Sequence, residues 1–500
     1  MPGKTVPSLE LTEGELREMV GATLDRLGTF LGALPTAHMH HMDGAHKLVK
    51  ALREPLPEGG QPFRRLLGTL FERVIPFGLN TASPGYLAYI PGGGLVHAGV
   101  ADLISNVTNR FVGIWQGAPG LVQLETNVIR WFCDLAGFPA GSGGLLTTGG
   151  SLANLAAIVA ARHDRLPADF LRGRIYVSET VHHSIDKAAR VAGFPQGAVV
   201  RIPLDKDHRM DMAALRTQIA LDRSGGLLPA MVVGSAGTTA TGAVDPLEEL
   251  SEVCSESGLW FHVDGAYGGF FLLTERGRRA LTGLEKADSL TLDPHKGLFL
   301  PYGTGCILVR DLTKLRAAHQ IAASYLPHAA EDPDCWDFAD LGPELSRDNR
   351  GLRVWLPLKM HGAGTFRAAL DEKLDLTDHA ARQLAKLPEL DIVAPPQLSL
   401  FAFRVRHPDP IEGDALTRRL ASLVNQRQRV ILTGVEIGGR YLLRVCVLSF
   451  RTHREQIDHM IEDITQALTQ VPGRPRRANG RSRRGPLLPP KPESGAGGHS

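Results

Sequence analysis

The segment Ser289-Leu290-Thr291-Leu292-Asp293-Pro294-His295-Lys296-Gly297 places a lysine directly after a short apolar run. An earlier apolar run ends at a carboxylate, Asp264. A lysine amine can hold an aldehyde cofactor as a Schiff base, and a carboxylate can keep a pyridine nitrogen protonated. The pairing indicates a site for pyridoxal phosphate (PLP), although a lysine taken alone is ordinarily a surface ammonium and an aspartate a cap or turn residue.

Short apolar runs alternate with helical patterns around this segment. Apolar side chains recur at helical spacing over Pro119–Leu135 and Ser151–Arg162. Strands are predicted at Gly144–Thr147, Arg174–Ser178, Ala198–Ile202, Ala230–Gly234, Leu259–Asp264, Ser289–Leu292 and Gly305–Val309. The alternation predicts an α/β fold with a mostly parallel, doubly wound sheet. Ligands of such sheets bind at the carboxyl ends of the strands, where Asp264 and Lys296 fall.

The two ends of the chain have a different character. Thr12 and Glu15 form a predicted capping box, and an amphipathic helix follows them. Beyond Trp355, helical stretches precede predicted strands, and the chain then ends in a segment rich in Pro, Gly, Ser and Arg. The predicted elements of this region are strands at Leu398–Val405 and Tyr441–Val447 and a last helix over His453–Leu468.

These patterns divide the chain into four parts. We expect an N-terminal helical arm over residues 1–95 and a large PLP-binding α/β domain over residues 96–355. A smaller C-terminal α+β domain is expected over residues 356–470, followed by a disordered basic tail over residues 471–500.

Composition sets limits on partners and location. The 500-residue chain is 43% hydrophobic with a formal net charge of +2, so its charge balance implies neither nucleic acid nor a membrane as partner. Its five widely spread cysteines lack C-x-x-C spacing and fit a reducing cytoplasm. The N-terminus lacks a signal-peptide pattern, and no apolar run is long enough to span a bilayer.

Two polar clusters suggest other partners. His38, His40, His41 and His46 make a metal conceivable, but no cysteine or acidic framework accompanies them beyond Asp43. Ordinary surface or interface histidines are therefore expected, and no metal. The arginine-rich tail could contact an anionic partner, but a solvated tail is the simpler interpretation.

Two further motifs fit a cofactor site. Thr147-Thr148-Gly149-Gly150-Ser151-Leu152-Ala153-Asn154 lies between a strand and a helix, where glycines allow close backbone approach and the helix N-terminus offers free N–H groups to a phosphate. Taken alone, it could be a tight turn. Val181-His182-His183-Ser184 follows another strand. A histidine there can stack on a cofactor ring, although a loop histidine is usually a structural hydrogen-bonding residue.

The chain resembles the group II PLP-dependent amino-acid decarboxylases in four ordered segments: Thr147–Asn154, Val181–Ser184, His262–Gly269 and Asp293–Lys296. This family includes the aromatic amino-acid, glutamate, histidine and cysteine-sulfinate decarboxylases. The resemblance extends from about Ser83–Pro91 to Leu443–Val447, most of the chain. It implies the aspartate-aminotransferase-type fold (fold type I) and an obligate homodimer with active sites at the interface, in which the N-terminal helix would pack on the partner subunit.

The resemblance also implies roles for individual residues. Lys296 would be the Schiff-base lysine, Asp264 the partner of the pyridine nitrogen, and His182 the histidine stacked on the ring. The other cofactor contacts would be Ser151, Leu152, Ala153 and His295 at the phosphate, and Ala266 and Thr239 beside the ring. The substrate pocket would be formed by Tyr89, Ile90 and Pro91, with the segment around Phe111 contributed by the other subunit.

The implied reaction is PLP-dependent decarboxylation of an L-amino acid to the amine and carbon dioxide, through Schiff-base and quinonoid intermediates. An aromatic substrate is favoured, because no extra arginine that would suit an acidic side chain can be identified. Gly265, where alanine is usual, and Asp293, where asparagine is common, are mild departures from the family pattern.

One departure bears on the outcome of the reaction. Aromatic decarboxylases carry a mobile-loop tyrosine thought to reprotonate the intermediate, and the matching position here is Phe338, with Tyr325 nearby. The same replacement accompanies oxidative deamination in related aldehyde synthases. An aldehyde synthase is therefore an alternative, as is a non-catalytic PLP-binding homologue.

Overall fold

The segment that contains Lys296 lies in a seven-stranded sheet. A computed structural model describes residues 9–321 and 335–471. Its strands are β1 His40–His41, β2 Gly78–Leu79, β3 Gly143–Thr147, β4 Gly173–Ser178, β5 Val199–Ile202, β6 Leu228–Ser235, β7 Trp260–Gly265, β8 Ser289–Leu292, β9 Gly305–Val309, β10 Leu390–Ala394, β11 Leu400–Val405, β12 Thr433–Ile437 and β13 Arg440–Cys446. The large sheet has the order β3-β9-β8-β7-β6-β4-β5. All neighbouring pairs from β8 to β5 are parallel, and β9 is antiparallel to both of its neighbours, which confirms the predicted mostly parallel sheet.

Helices occupy the connections between these strands. They are α1 Glu13–Ala33, α2 Ala45–Ala51, α3 Phe63–Thr69, α4 Val96–Thr108, α5 Pro119–Leu135, α6 Gly150–Arg165, α7 Ser184–Val191, α8 Met212–Ser224, α9 Leu247–Ser257, α10 Glu275–Ala280, α11 Pro294–Gly297, α12 Leu312–His319, α13 Arg350–Leu384, α14 Pro410–Asn425 and α15 Arg454–Leu468. The predicted capping box of α1 is present. The Thr12 hydroxyl accepts from the Glu15 N–H at 3.3 Å, and the Glu15 carboxylate accepts from the Thr12 N–H at 2.8 Å.

A second, smaller sheet follows the large one along the chain. β10 to β13 form an antiparallel sheet in the order β10-β11-β13-β12, with an apolar core shared with α14 and α15. α13 connects the two parts and contains one non-helical residue, Gly362, with φ 72°. A preceding segment also reaches the small sheet, because the Leu87 N–H donates to the Ile431 carbonyl at 3.3 Å and the Leu87 carbonyl accepts from the Cys446 N–H at 3.1 Å.

The fold brings the two central site residues together. β7 and β8 are parallel neighbours, and every residue of both strands is buried. Asp264 pairs with Thr291 in the ladder, and Lys296 follows one turn after β8 ends. Both side chains therefore lie at the carboxyl edge of the sheet, as in other open α/β folds. None of the helices in the described residues has the length and apolar character needed to cross a membrane.

Candidate active site

A cavity of about 250 Å³ lies at the carboxyl ends of the parallel strands. Residues from all four motifs meet there. Of the predicted cofactor contacts, eight line it: Ser151, Leu152, His182, Thr239, Asp264, Ala266, His295 and Lys296. Ala153 is not part of the lining. It is fully buried, and its N–H donates to the Gly149 carbonyl at 3.2 Å.

Lys296 projects into this cavity from the short helix α11. Its Nζ lies 2.8 Å from Oδ2 of Asp293, which is itself 2% exposed. Burial alone would lower the pKa of Lys296, but the carboxylates of Asp293 and Asp264 outweigh this effect and raise it. The amine is thus held as an ammonium ion by its neighbour.

Asp264 is a buried carboxylate that accepts hydrogen bonds from neutral groups. Oδ2 accepts from Nδ2 of Asn154 at 3.0 Å, and Oδ1 accepts from the Ala266 N–H at 3.1 Å. Within the described ranges, neither oxygen is in an ion pair with a lysine or arginine, although Lys296 is close enough for Asp264 to affect its pKa. A buried carboxylate on a cavity wall without a paired cation suits a cationic ligand group such as a protonated pyridine nitrogen.

Asn154 joins Asp264 and His182 in one hydrogen-bond network. Its Nδ2 also donates to Oγ of Ser184 at 3.0 Å, and Ser184 Oγ lies 2.8 Å from Nδ1 of His182. The Ser184 N–H points to the same nitrogen at 3.3 Å. Nδ1 of His182 therefore serves as an acceptor, and the neutral ring carries its proton on Nε2. Burial lowers the pKa of His182 against the opposing effect of Asp264, which favours this neutral form.

The opposite side of Asn154 is also fully bonded. Oδ1 accepts from Oγ1 of Thr291 at 2.6 Å and lies 3.1 Å from Nε2 of His262. Burial lowers the pKa of His262 to about 4, so this ring is neutral and donates through Nε2, while Nδ1 faces Oγ of Ser289 at 2.8 Å. The bonds fix the orientation of the Asn154 amide. Asn154 was part of a predicted motif, but its position between Asp264 and His182 had no sequence signal.

The start of α6 forms the other end of the cavity. A Cβ added to Gly150 would lie 3.1 Å from Cβ of Ala266 and 3.1 Å from Oδ2 of Asp293, so only glycine leaves this space open. The first N–H groups of a helix have no acceptor within it, and those of Gly150 and Ser151 are at this end. The N–H groups of Leu152 and Ala153 both donate to the Gly149 carbonyl, and a phosphate contact of Ala153 stays a prediction.

His295 lies beside this helix end. Its Nδ1 donates to the Thr304 carbonyl at 2.6 Å, and its Nε2 lies 3.7 Å from Oδ2 of Asp293. Burial lowers the pKa of His295 against the opposing charge of Asp293. The residues around the cavity thus fit PLP, with a free amine, a buried acid and a helix N-terminus in one enclosure.

The predicted substrate-pocket residues lie outside this cavity. Tyr89 is 52% exposed and Phe111 is 38% exposed, whereas Ile90 and Pro91 are buried. Tyr89 has φ 51°, an uncommon conformation for an aromatic residue, and its N–H donates to Oγ1 of Thr433 in the small sheet at 3.1 Å. The small sheet therefore fixes the backbone at Tyr89.

Arg444 is a residue that the sequence did not single out. It is 5% exposed, donates through Nη1 to the carbonyl of the cavity residue Thr239, and has no hydrogen-bond partner for Nε. Among the described residues, no carboxylate forms an ion pair with it. The phenols of Tyr86 and Tyr89 are close enough to affect its pKa. A buried guanidinium beside the cavity and near Tyr89 is suited to bind an anionic group.

The structure places Phe338 in the interior of its own subunit. The side chain is fully buried, and its ring centroid lies 6.2 Å from that of Trp336 and 4.7 Å from Cζ of Arg347. The role of Phe338 at the reacting centre stays a prediction. Tyr325, the other candidate, lies outside the described residues.

The histidine cluster near the N-terminus makes other contacts. The ring of His41 stacks on Phe77 at 4.3 Å between centroids, and the His40 ring lies 3.2 Å from Nε2 of Gln428. In residues 9–321 and 335–471, no group of three or more His, Cys, Asp or Glu side chains is arranged to hold a metal ion.

Comparison with known proteins bears on this site. Residues 46–406 match the pyridoxal-dependent decarboxylase conserved domain. The chain is 33% identical to an aromatic-L-amino-acid decarboxylase of Bacillus atrophaeus, over 93% of this chain and 98% of that protein. It is 30% identical to an L-2,4-diaminobutyrate decarboxylase of Rhizobium meliloti over 84% of each chain. The structure of Oryza sativa TDC with PLP and tryptamine superimposes with a TM-score of 0.89 and 25% identity, covering 93% of this chain and 99% of that one.

Proposed function

The chain belongs to the family of pyridoxal-dependent decarboxylases, and we propose that its substrate is an aromatic L-amino acid, which it converts to the amine and carbon dioxide. It is a PLP-dependent carboxy-lyase of fold type I. One observation carries the assignment of residues. The cavity holds Lys296 Nζ together with Asp264, a buried carboxylate without a paired lysine or arginine in the described chain.

The choice of an aromatic substrate is supported by the charges around the cavity. Lys296 is the one lysine or arginine in the described lining, and Arg444 donates to the carbonyl of the lining residue Thr239. If these two groups engage the cofactor and the substrate carboxylate, the described lining holds no further lysine or arginine for an acidic side chain. The Bacillus atrophaeus relative is named as an aromatic-L-amino-acid decarboxylase.

When bound, PLP supplies a ring that accepts the electron pair released as carbon dioxide leaves. Lys296 would hold the cofactor through its Nζ, and the Asp264 carboxylate would keep the pyridine nitrogen protonated, because a nearby negative charge raises the pKa of that nitrogen. Neutral His182 would lie on one face of the ring and Ala266 would leave room on the other. Both positions depend on Asn154 and Ser184, which fix the His182 ring and the Asp264 carboxylate.

At the phosphate end, we propose contacts from the N–H groups of Gly150 and Ser151 and from His295. Thr239 would flank the ring. The substrate amine would displace Lys296, and the freed Nζ would then be able to accept or donate a proton close to the substrate carbon. Asp293 Oδ2, 2.8 Å from Nζ, keeps this amine near the cavity after its release.

We propose that Arg444 binds the substrate carboxylate. Nε of Arg444 has no hydrogen-bond partner, and Nη1 donates to the carbonyl of the cavity residue Thr239. Tyr89 is close enough to affect the pKa of Arg444. These contacts place a charged donor next to the cavity. A substrate carboxylate at that point would be held away from the amine end at Lys296. The bond between the substrate α-carbon and its carboxylate could then stand perpendicular to the plane of the cofactor ring, which is the orientation that cleavage requires.

Arg444→Gln is expected to raise KM for the amino acid by about 10- to 100-fold, because a charge-assisted hydrogen bond contributes about 1.5–3 kcal/mol. Binding of the corresponding amine, which lacks the carboxylate, should change little. Steady-state kinetics and amine inhibition constants measure both effects. Arg440→Gln is the matched control, since Arg440 lies on the same strand but pairs with Asp414 at 3.1 Å. Equal weakening of amine and amino acid would contradict the assignment.

A product assay tests the proposed reaction. The purified protein is incubated with PLP and a panel of aromatic, acidic and diamino acids, and amine, carbon dioxide and oxygen uptake are measured. We expect one amine and one carbon dioxide per aromatic substrate without oxygen consumption. Stoichiometric oxygen uptake would instead identify an aldehyde synthase, and inert protein a non-catalytic homologue. The aldehyde-synthase alternative rests on Phe338, and the oxygen measurement decides between the two reactions.

We also propose that the protein is a homodimer with active sites at the interface. A groove of about 670 Å³ between α1 and α4 is lined mainly by apolar side chains, among them Leu24, which is 61% exposed, and Val107, which is 63% exposed. An exposed apolar surface of this extent is typical of a protein interface. The exposure of Phe111 and Tyr89 fits a substrate pocket that a second subunit completes.

Val107→Asp is expected to shift the protein from dimer to monomer and to remove most of its activity, because it places a charge in the proposed interface. Sedimentation velocity gives the oligomeric state at matched concentrations. Leu221→Asp provides the control, since Leu221 is 59% exposed on α8. The proposal fails if the Val107 variant stays dimeric, or if the wild-type protein is itself a monomer.

Two further proposals concern the domain division and the cellular location of the protein. We propose that the boundary at residue 355 separates two units, which is supported by two apolar cores, one around the large sheet and one around the small sheet. The boundary at residue 95 stays a proposal, and the predicted tail after residue 470 lies outside the described residues apart from Val471. α13 crosses the boundary at residue 355. We propose a cytoplasmic location, because Cys133, Cys254, Cys306 and Cys446 are buried thiols outside any disulfide, which suits a reducing compartment.

A further inference from the structure

Asp293 is a buried acid whose second carboxylate oxygen has no part in the proposed reaction. Oδ2 contacts Lys296 Nζ at 2.8 Å and lies 3.7 Å from Nε2 of His295. Oδ1 is buried and has no hydrogen-bond partner. A carboxylate oxygen left without a donor in a protein interior is unusual and calls for an explanation.

The position of this carboxylate relative to α6 is the second observation. A Cβ built on Gly150 would lie 3.1 and 3.3 Å from the two carboxylate oxygens. Asp293 therefore packs against the first residue of the helix whose N-terminus is proposed to bind the cofactor phosphate. The negative charge of Asp293 thus lies where the helix dipole and the free N–H groups would favour the cofactor phosphate.

Few positive charges lie near the cavity to balance the Asp293 carboxylate. The described lining of the cavity contains one lysine, Lys296, and no arginine. Burial lowers the pKa of His295, so the imidazole beside Asp293 is mainly neutral. To hold the cofactor aldehyde, the Lys296 ammonium would first lose one proton to solvent, and its neutral amine would then give up two hydrogens with the aldehyde oxygen as one water.

We propose that Asp293 is a positioning residue that holds Lys296 in the cavity before the cofactor binds and weakens the hold of the site on the cofactor phosphate. The inference rests on the proposed use of the α6 N-terminus for that phosphate. Like charges in a site of low dielectric repel strongly. The protein consequently binds PLP less tightly than its remaining contacts would allow, and it exchanges the cofactor more readily.

A thermodynamic cycle separates the two effects of Asp293. Dissociation constants of PLP and of pyridoxal, which lacks the phosphate, are measured by equilibrium dialysis for the full-length wild type and for Asp293→Asn. Any change at Lys296 affects both ligands alike and cancels in the ratio of the two constants. We expect the preference for PLP over pyridoxal to rise by at least about tenfold in Asp293→Asn, because only PLP carries the repelled charge.

Two further variants complete the experiment. Asp293→Ala also removes the charge and should raise the preference in the same direction, which keeps the test valid if the asparagine variant folds poorly. Glu436→Gln removes one negative charge from the exposed surface of the small sheet, where Glu436 pairs with Arg418, and should leave the preference unchanged.

The outcomes distinguish this inference from the proposed function. If PLP attaches to Lys296 in the wild type and the variants but the preference for PLP over pyridoxal is unchanged or falls, Asp293 does not repel the phosphate. The inference then fails while the proposed function stands. If PLP does not attach to Lys296 in any of these proteins, the proposed residue roles fail together with the inference. A raised preference in both Asp293 variants supports it.

Discussion

Replacing Lys296 with alanine is expected to abolish covalent attachment of PLP and to lower turnover by at least about three orders of magnitude. The physical reason is geometric. Lys296 is the one lysine in the described lining of the cavity, and it lies at the carboxyl end of β8 next to Asp264 and the start of α6. Alanine removes both the group that holds the cofactor and the amine that can move a proton beside the substrate.

Borohydride reduction followed by peptide mass spectrometry locates the attachment directly. In the wild type, the mass of reduced pyridoxal phosphate should appear on the peptide that contains Lys296, and in the variant on none. Lys286→Ala is the control, because Lys286 is an exposed lysine paired with Glu248 and should leave labelling and turnover unchanged. Labelling of a different lysine in the wild type would refute the assignment.

The parts of the site that could be predicted share one property. Asp264, Lys296 and the glycine pair at the start of α6 each follow a short apolar run, and carboxyl ends of parallel strands meet at one edge of a sheet. The strand Ser289–Leu292 was predicted with its observed bounds because it is a compact apolar run ended by Asp-Pro. Local pattern and topology together were sufficient for these residues.

The residues that were missed depend on contacts between distant segments. Arg444 lies on β13 of the small sheet and reaches the site through the carbonyl of Thr239, a contact that no local pattern encodes. Asn154 appears in sequence as one polar residue on a helix, and its position between Asp264 and His182 exists only once β7, β8 and α6 pack. The role of Phe338 stays a prediction, because no apolar periodicity in its segment fixes an alignment.

Asp264→Asn is expected to lower kcat by about two to three orders of magnitude while changing PLP affinity much less. The amide keeps the size of the carboxylate, but its single oxygen can accept only one of the two hydrogen bonds from Asn154 and Ala266. It lacks the negative charge that keeps the pyridine nitrogen protonated, and each unit lost from the pKa of that nitrogen corresponds to about 1.4 kcal/mol. The loss of kcat therefore arises at the step in which the ring must accept electrons.

Nitrogen NMR of PLP labelled at the ring nitrogen separates this effect from misfolding. The wild-type spectrum should show a protonated nitrogen and the Asp264→Asn spectrum an unprotonated one, both with PLP still attached to Lys296. Asp264→Glu keeps the charge at a displaced position and should retain ring protonation with an intermediate kcat. An asparagine variant with a protonated ring and near wild-type turnover would remove Asp264 from the proposed mechanism.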